Sequence, residues 1–201
     1  MKQSIILLLS ITIIGASCVK DRLQSGSTRV VTVNDTLMYY WDFNSSDSVA
    51  PTFKVIAGAT LKHYCNYVDF TTGSTLNLNG GTTDPGNCLR VRNPSDSLIF
   101  YMPTTGFDSI QFSFAEQRSG SGPSQNLILY TVDGTNYIST ALGNNAYTVD
   151  TTFGLYTFDF SSDANVKHNP KFAVKIVFNN SNTGTSGNDR FDNVALKGKR
   201  E

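Results

Sequence analysis

The sequence predicts an all-β protein, a sandwich of two antiparallel sheets packed face to face. Apolar side chains recur at every second position, and no sustained helical period competes with them. Turn residues punctuate these runs at short intervals. The composition agrees: 22 Thr, 21 Ser, 18 Asn and 16 Gly stand against nine Lys and two Glu, so strand and turn formers abound while strong helix formers are scarce.

Taken in order, residues 1–17 combine a basic start (Lys2), an apolar run from Ile5 to Ile14 broken only by Ser10 and Thr12, and the small residues Gly15, Ala16 and Ser17. This is the pattern of an export signal, and the run is shorter than the roughly 20 apolar residues of a spanning helix. Cys18 after small residues resembles a bacterial lipobox, which predicts a lipidated Cys18 followed by a polar tether, the two together covering residues 18–28. Lipoboxes usually carry Leu where this chain has Gly15, and ordinary signal cleavage leaving Cys18 as a thiol also fits. Several acyl chains meet the need for at least two anchoring signals. The expected location is therefore the outer membrane, on its periplasmic or cell-surface side, with the lipid as the only membrane contact. With Cys18 taken, Cys65 and Cys88 are expected to pair as a disulfide worth roughly 3 kcal/mol; the alternative is two buried free thiols.

Residues 29–201 are expected to form one domain without internal repeats, long enough to bury a sizeable core. Ile110, Phe112 and Phe114 alternate with Gln111, Ser113 and Ala115, and Phe172, Val174, Ile176 and Phe178 alternate with Lys171, Ala173 and Lys175. Further strands are expected at 30–33, 36–43, 61–70, 88–92, 97–101, 126–132, 136–140, 155–160 and 191–197. Asn34-Asp35, Gly80-Gly81, Asp84-Pro85-Gly86, Asn93-Pro94, Asp133-Gly134 and Asn169-Pro170 separate them. Asp133-Gly134 is the strongest hairpin signal, because such turns need positive φ. The one helical piece expected is a turn within 161–167, capped by Ser161 or Ser162.

The stretch TTGFDSIQFSFAEQRSGSGPSQNLILYTVDGTNY, then YTFDFSSDANVKHNPKFAVKIVFNN and the closing NDRFDNVALKG, resembles a jelly-roll β-sandwich module of exported Bacteroidetes proteins. Such modules occur as lipoproteins or beside surface enzymes, and are similar in architecture to galactose-binding-like and carbohydrate-binding modules. The resemblance covers residues 40–198 and is most specific at 104–118 and 190–198. It implies a jelly roll, and it implies function only weakly, because sandwiches host binding, adhesion and some enzymes.

Three constellations are candidates for chemistry. The resemblance implies that the segments around Asp42 and around Asp192-Asn193 are neighbours. Asp42, Asp192 and Asn193 with backbone carbonyls would then supply the oxygen ligands of a structural calcium ion; otherwise Asp192 and Asn193 cap backbone groups and Arg190 pairs with Asp42 or Asp189. The loop 116–126 carries Glu116, Arg118, Gln125 and Asn126, donors and acceptors suited to sugar hydroxyls. Its alternative is a hairpin in which Glu116 and Arg118 pair across the sheet. Among the aromatics, Tyr64 and Tyr137 are the expected sugar-stacking side chains, drawn from a set that includes Tyr39, Tyr67, Tyr101 and Tyr147.

Equal numbers of acidic and basic groups leave no electrostatic drive toward nucleic acid or anionic lipid. His63 and His168 stand in no nucleophile motif, and Gly-x-Ser-x-Gly is absent. A glycosidase carboxylate pair could use Glu116, but nothing in the spacing selects its partner. The expected function is non-catalytic glycan binding; a structural or adhesion module with a surface-protein partner is the alternative, and a glycan hydrolase or lyase a distant third.

Overall fold

The computed structural model describes residues 35–45, 47, 49–79, 84–179 and 187–201. The signal segment, Cys18, the tether and the strand expected at 30–33 lie outside the described residues. The strands are β1 (Thr36–Trp41), β2 (Phe53–Lys54), β3 (Thr60–His63), β4 (Tyr67–Thr72), β5 (Asn87–Arg92), β6 (Ser97–Tyr101), β7 (Phe107–Arg118), β8 (Gln125–Thr131), β9 (Ala146–Thr148), β10 (Gly154–Asp159), β11 (Ala173–Asn179) and β12 (Asn188–Arg200). They form two antiparallel sheets, a jelly-roll sandwich. The seven-stranded sheet runs β10-β7-β12-β1-β2, with β5 on the first half of β12 and β4 beyond it; the five-stranded sheet runs β3-β6-β11-β8-β9.

Alternation decides which side chains enter the core. Phe112, Phe114, Leu196 and Phe191 from the larger sheet meet Phe100, Ile128, Val174 and Ile176 from the smaller, all buried. Phe100 bridges the sheets, with its ring 5.2 Å from Trp41 and 5.5 Å from Phe112. Such aromatic pairs add about 0.5–1.5 kcal/mol beyond their buried area.

The structure departs from the sequence reading in particular places. The run expected at 61–70 is two strands in different sheets, because the chain crosses the sandwich edge between His63 and Tyr67. The hairpin at Asp133-Gly134 turns as expected, with Gly134 at φ +85°, but Tyr130 and Ile138 meet only in an isolated bridge. The edge of β8 is covered by β9 instead. The single helical turn among the described residues is a 3-10 turn, Ala164–Val166, capped not by Ser161 or Ser162 but by Asp163, which accepts from Asn165 N. The Cys65–Cys88 disulfide is not formed: both thiols are free, Cys65 bonding to Ser97 O on the small-sheet side and Cys88 to Thr72 O within β4–β5. Cys65 lies in the crossing between β3 and β4 and Cys88 within β5, and burial pushes the Cys65 thiol up to about 11 and that of Cys88 to about 12.

Candidate functional site

Cross-strand register builds one outward face on the five-stranded sheet. Lys62, Ile99, Lys175 and Leu129 form one row across β3, β6, β11 and β8, and Thr60, Tyr101, Ala173 and Thr131 form the next. All point away from the core, since Leu61, Phe100, Val174 and Ile128 on the same strands are buried inside. The Lys62 ammonium sits 5.2 Å from the Tyr101 ring centroid, and the Lys175 ammonium 5.6 Å from that of Tyr137. Tyr137 reaches this face from the loop after β8; burial, with the Tyr101 hydroxyl beside it and Tyr64 nearby, holds its phenol well above the ordinary value. Tyr64, at the end of β3, is 51% exposed and offers an open ring. Two shallow hollows lie along β3. One, about 300 Å³, is lined by Val49, Thr60, Leu61, Lys62, His63 and Tyr64; the other, about 210 Å³, by Thr60, Lys62, Tyr101, Pro103, Lys171 and neighbours.

The structure thus gathers Tyr64 and Tyr137 with Tyr101 from the same aromatic set, and adds Lys62 and Lys175. Alternation had already put Lys175 on the polar side of its strand. What sequence lacks is the register that sets Lys62 and Lys175 on either side of Ile99.

The loop constellation does not assemble as a ligand site. Glu116 and Asn126 are fully buried between the sheets. Asn126 Nδ2 donates to Glu116 Oε1 at 2.7 Å and to Asp189 Oδ2 at 2.8 Å. The two acids face each other without a cation between them, and burial raises both, Glu116 well above its usual range with Asp189 adding to the shift. Glu116 Oε2, Asn126 Oδ1 and the Tyr147 hydroxyl complete this interior cluster without a hydrogen-bond partner. Glu116 therefore has a carboxyl partner, Asp189, but neither is open to a glycan. The expected Glu116–Arg118 pair is absent as well. Arg118 spends its donors on backbone, Nε on Val149 O (2.8 Å) and Nη1 on Ser119 O (3.2 Å) and Gly120 O (3.0 Å). It lines an open cavity of about 660 Å³ with Asp150, Phe153, Leu155 and Tyr156. Gln125 accepts from Asn179 Nδ2 at 3.0 Å.

The calcium candidates lie on the larger sheet. Asn193, at φ +50° in a bulge of β12, accepts from the Tyr40 hydroxyl and donates to Ser74 O (2.8 Å) and Leu76 O (2.9 Å), so its side chain ties the 73–79 loop to the sheet. Asp192 is buried and accepts from Ser74 N (2.6 Å) and Asn193 N (2.8 Å). Burial pushes it up to about 7, and Asp42 adds to the shift. Asp42 accepts from Thr52 Oγ1 (2.6 Å) and Asn44 N (3.1 Å). A Cβ on Gly73 would lie 2.4 Å from Asp192 Oδ2 and 2.5 Å from Pro85 O, and one on Gly86 1.9 Å from Asn44 Oδ1. Oxygens thus crowd a cradle that only glycine leaves open. These are hard donors of the kind calcium takes. Among the described residues no three His, Cys, Asp or Glu side chains converge as a metal site, so such an ion would lean on amide and carbonyl oxygens.

His168 Nε2 lies 2.9 Å from Glu201, and its Nδ1 accepts from Gly106 N at 3.1 Å.

No protein-family model and no curated protein matches the chain. Among solved structures it is similar to the CBM22-1 and GH10 modules of a Clostridium thermocellum endo-1,4-beta-D-xylanase complexed with xylohexaose. Identity there is 12% and the TM-score 0.47, over 83% of this chain and 29% of that one. It is similar also to a family 11 carbohydrate-binding module of a Clostridium thermocellum cellulosomal cellulase (17% identity, TM-score 0.42, 84% and 96% covered). A third is the K2 cleaved adhesin domain of Lys-gingipain (10%, TM-score 0.46, 81% and 99%).

Proposed function

We propose that this protein binds a glycan, without catalysis, on the outward face of its five-stranded sheet. The single observation that carries this reading is the convergence of Tyr64, Tyr101 and Tyr137 with Lys62 and Lys175 on that face. An exposed aromatic ring gives a sugar's CH face an apolar support, while ammonium and phenol groups beside it serve the hydroxyls. The acid pair Glu116–Asp189 is sealed in the interior, so the two-carboxylate chemistry of glycoside hydrolysis has no path to a substrate there. The ion at Asp42 and Asp192 would be structural, tying the 73–79 loop to β12. Attachment through a lipidated Cys18 would hold the face close to the outer membrane; the signal-like residues 1–17 support this.

A glycan array probed with the purified protein, with and without a calcium chelator, tests the reading. Binding that is weakened in Tyr64→Ala and kept in Arg118→Ala supports it. Silence across plant, host and bacterial glycans refutes it and shifts the function to a protein partner. That second reading draws on Phe53 and Val55, exposed at the β2 edge.

A further inference from the structure

The two sheets differ in where their acidic residues lie. The strands of the seven-stranded sheet carry Asp69, Asp108, Glu116, Asp159, Asp189 and Asp192, whereas none of the five strands of the smaller sheet carries an Asp or Glu. The smaller sheet does carry lysines, Lys62 and Lys175, and Lys171 borders the hollow beside Tyr101. The ion pairs among the described residues lie elsewhere, at Asp69 with Arg90 and Arg92, Asp108 with Lys167, and His168 with Glu201. Asp133 lies in the loop beside Lys171, one residue before Gly134, on which a Cβ would lie 3.7 Å from Lys171 Cβ. It turns inward to its own loop, accepting from Asn136 N (2.7 Å), Thr135 N (2.8 Å) and Asn136 Nδ2 (2.6 Å). In a chain of zero net charge, three lysines are thus left on one face without a carboxylate. Two of them are held above tyrosine rings, which fixes their ammonium groups at little further entropic cost.

We propose that this face takes an acidic glycan, a polysaccharide whose sugar rings bear carboxylates, with Lys62, Lys171 and Lys175 meeting the carboxylates and Tyr64 supporting a ring. The inference rests on the glycan reading and adds the substrate class. Charge complementarity selects the ligand: a neutral sugar offers the three ammonium groups hydroxyl oxygens but no charge to pair with. A uronate polymer repeats a carboxylate on every ring or every second ring and can satisfy them in series.

The test is binding of the purified protein to polygalacturonate, alginate and hyaluronate, measured against methyl-esterified polygalacturonate, neutral galactan and polyglutamate. At least one uronate polymer is expected to bind, roughly tenfold tighter than its neutral counterpart, and to weaken several-fold when salt rises from about 50 to about 500 mM. Lys62→Met and Lys175→Met, which keep the apolar stem over the ring, should each lower that affinity about fivefold to tenfold while the melting temperature holds. Equal or stronger binding to neutral galactan or to the esterified polymer overturns the acidic class and leaves glycan binding standing. Polyglutamate binding as tight as any uronate polymer shows mere charge attraction and also overturns it. Failure to bind any glycan, acidic or neutral, removes both readings together.

Discussion

Two polar regions share the strands of this sandwich and have opposite fates. At one end, Glu116, Asp189, Asn126 and the Tyr147 hydroxyl face each other inside, cut off from water, with Asn126 donating to both acids. On the outside of the smaller sheet, Lys62, Lys175 and three tyrosines are held in place yet remain within reach of a ligand. The interior cluster has the residue types of a reactive site and acts in stability. The outer face has the composition of ordinary strand surface and offers recognition. What separates them is access: a polar group can serve a ligand only if the fold has not already closed it off.

The comparison can be broken at several points. The largest effect is expected from Asn126→Ala, which takes the shared donor from Glu116 and Asp189. Denaturant unfolding should show a loss of about 3 kcal/mol, with glycan affinity unchanged at temperatures where the variant is folded. If instead affinity falls and stability holds, the two regions have been assigned the wrong way round.

Next is calcium. If Asp42 and Asp192 hold an ion, a hundredfold excess over its Kd should stabilise the fold by about 2.7 kcal/mol, and Asp192→Asn should abolish that gain. A melting temperature indifferent to calcium and chelator would remove the ion from the account.

The buried acids set a pH dependence whose sign is fixed. Glu116 and Asp189 keep their protons to higher pH in the fold than in the unfolded chain. The folded state therefore binds more protons above about pH 4. Their contribution to stability is full below that value and is lost as pH rises, by up to about 1.4 kcal/mol per pH unit for each retained proton. Glu116→Gln should flatten the decline as pH rises above about 4. Parallel curves for the variant and the parent protein would show that the pair is not what titrates.

On the outer face, Tyr64→Ala should weaken glycan binding by about 1 kcal/mol, roughly fivefold, with unfolding unaffected because the ring is half exposed. The smallest effect belongs to the cysteines. A reducing agent should leave the melting temperature where it was, since Cys65 and Cys88 are unlinked; a clear drop would restore the disulfide.

Much of the fold was legible in the chain because side-chain alternation is a local property. It missed β2 and β9, two and three residues long and too short to show a period, ran β3 and β4 together as one strand, and placed a strand at 136–140 where only an isolated bridge forms. The phase of the same alternation also placed the loop residues that residue type misassigned. Glu116 continues the inward series Ile110, Phe112, Phe114, and Asn126 begins the series Asn126, Ile128, Tyr130. Their polarity suggested a ligand, and their phase meant burial.

By itself, then, the sequence determined that this is an all-β sandwich, and which side of most strands turns inward, because a period of two is written in neighbouring residues. It did not determine that Lys62, Lys175 and Tyr101 lie beside Tyr137, that Glu116 meets Asp189, or that Cys65 and Cys88 stand apart. Those facts depend on which strands pair and in what register, settled by contacts between residues far apart in the chain, as where Lys62 and Lys175 both pair with Ile99. Hydrogen bonds and packing between distant strands fix them only when the two sheets close on a common core.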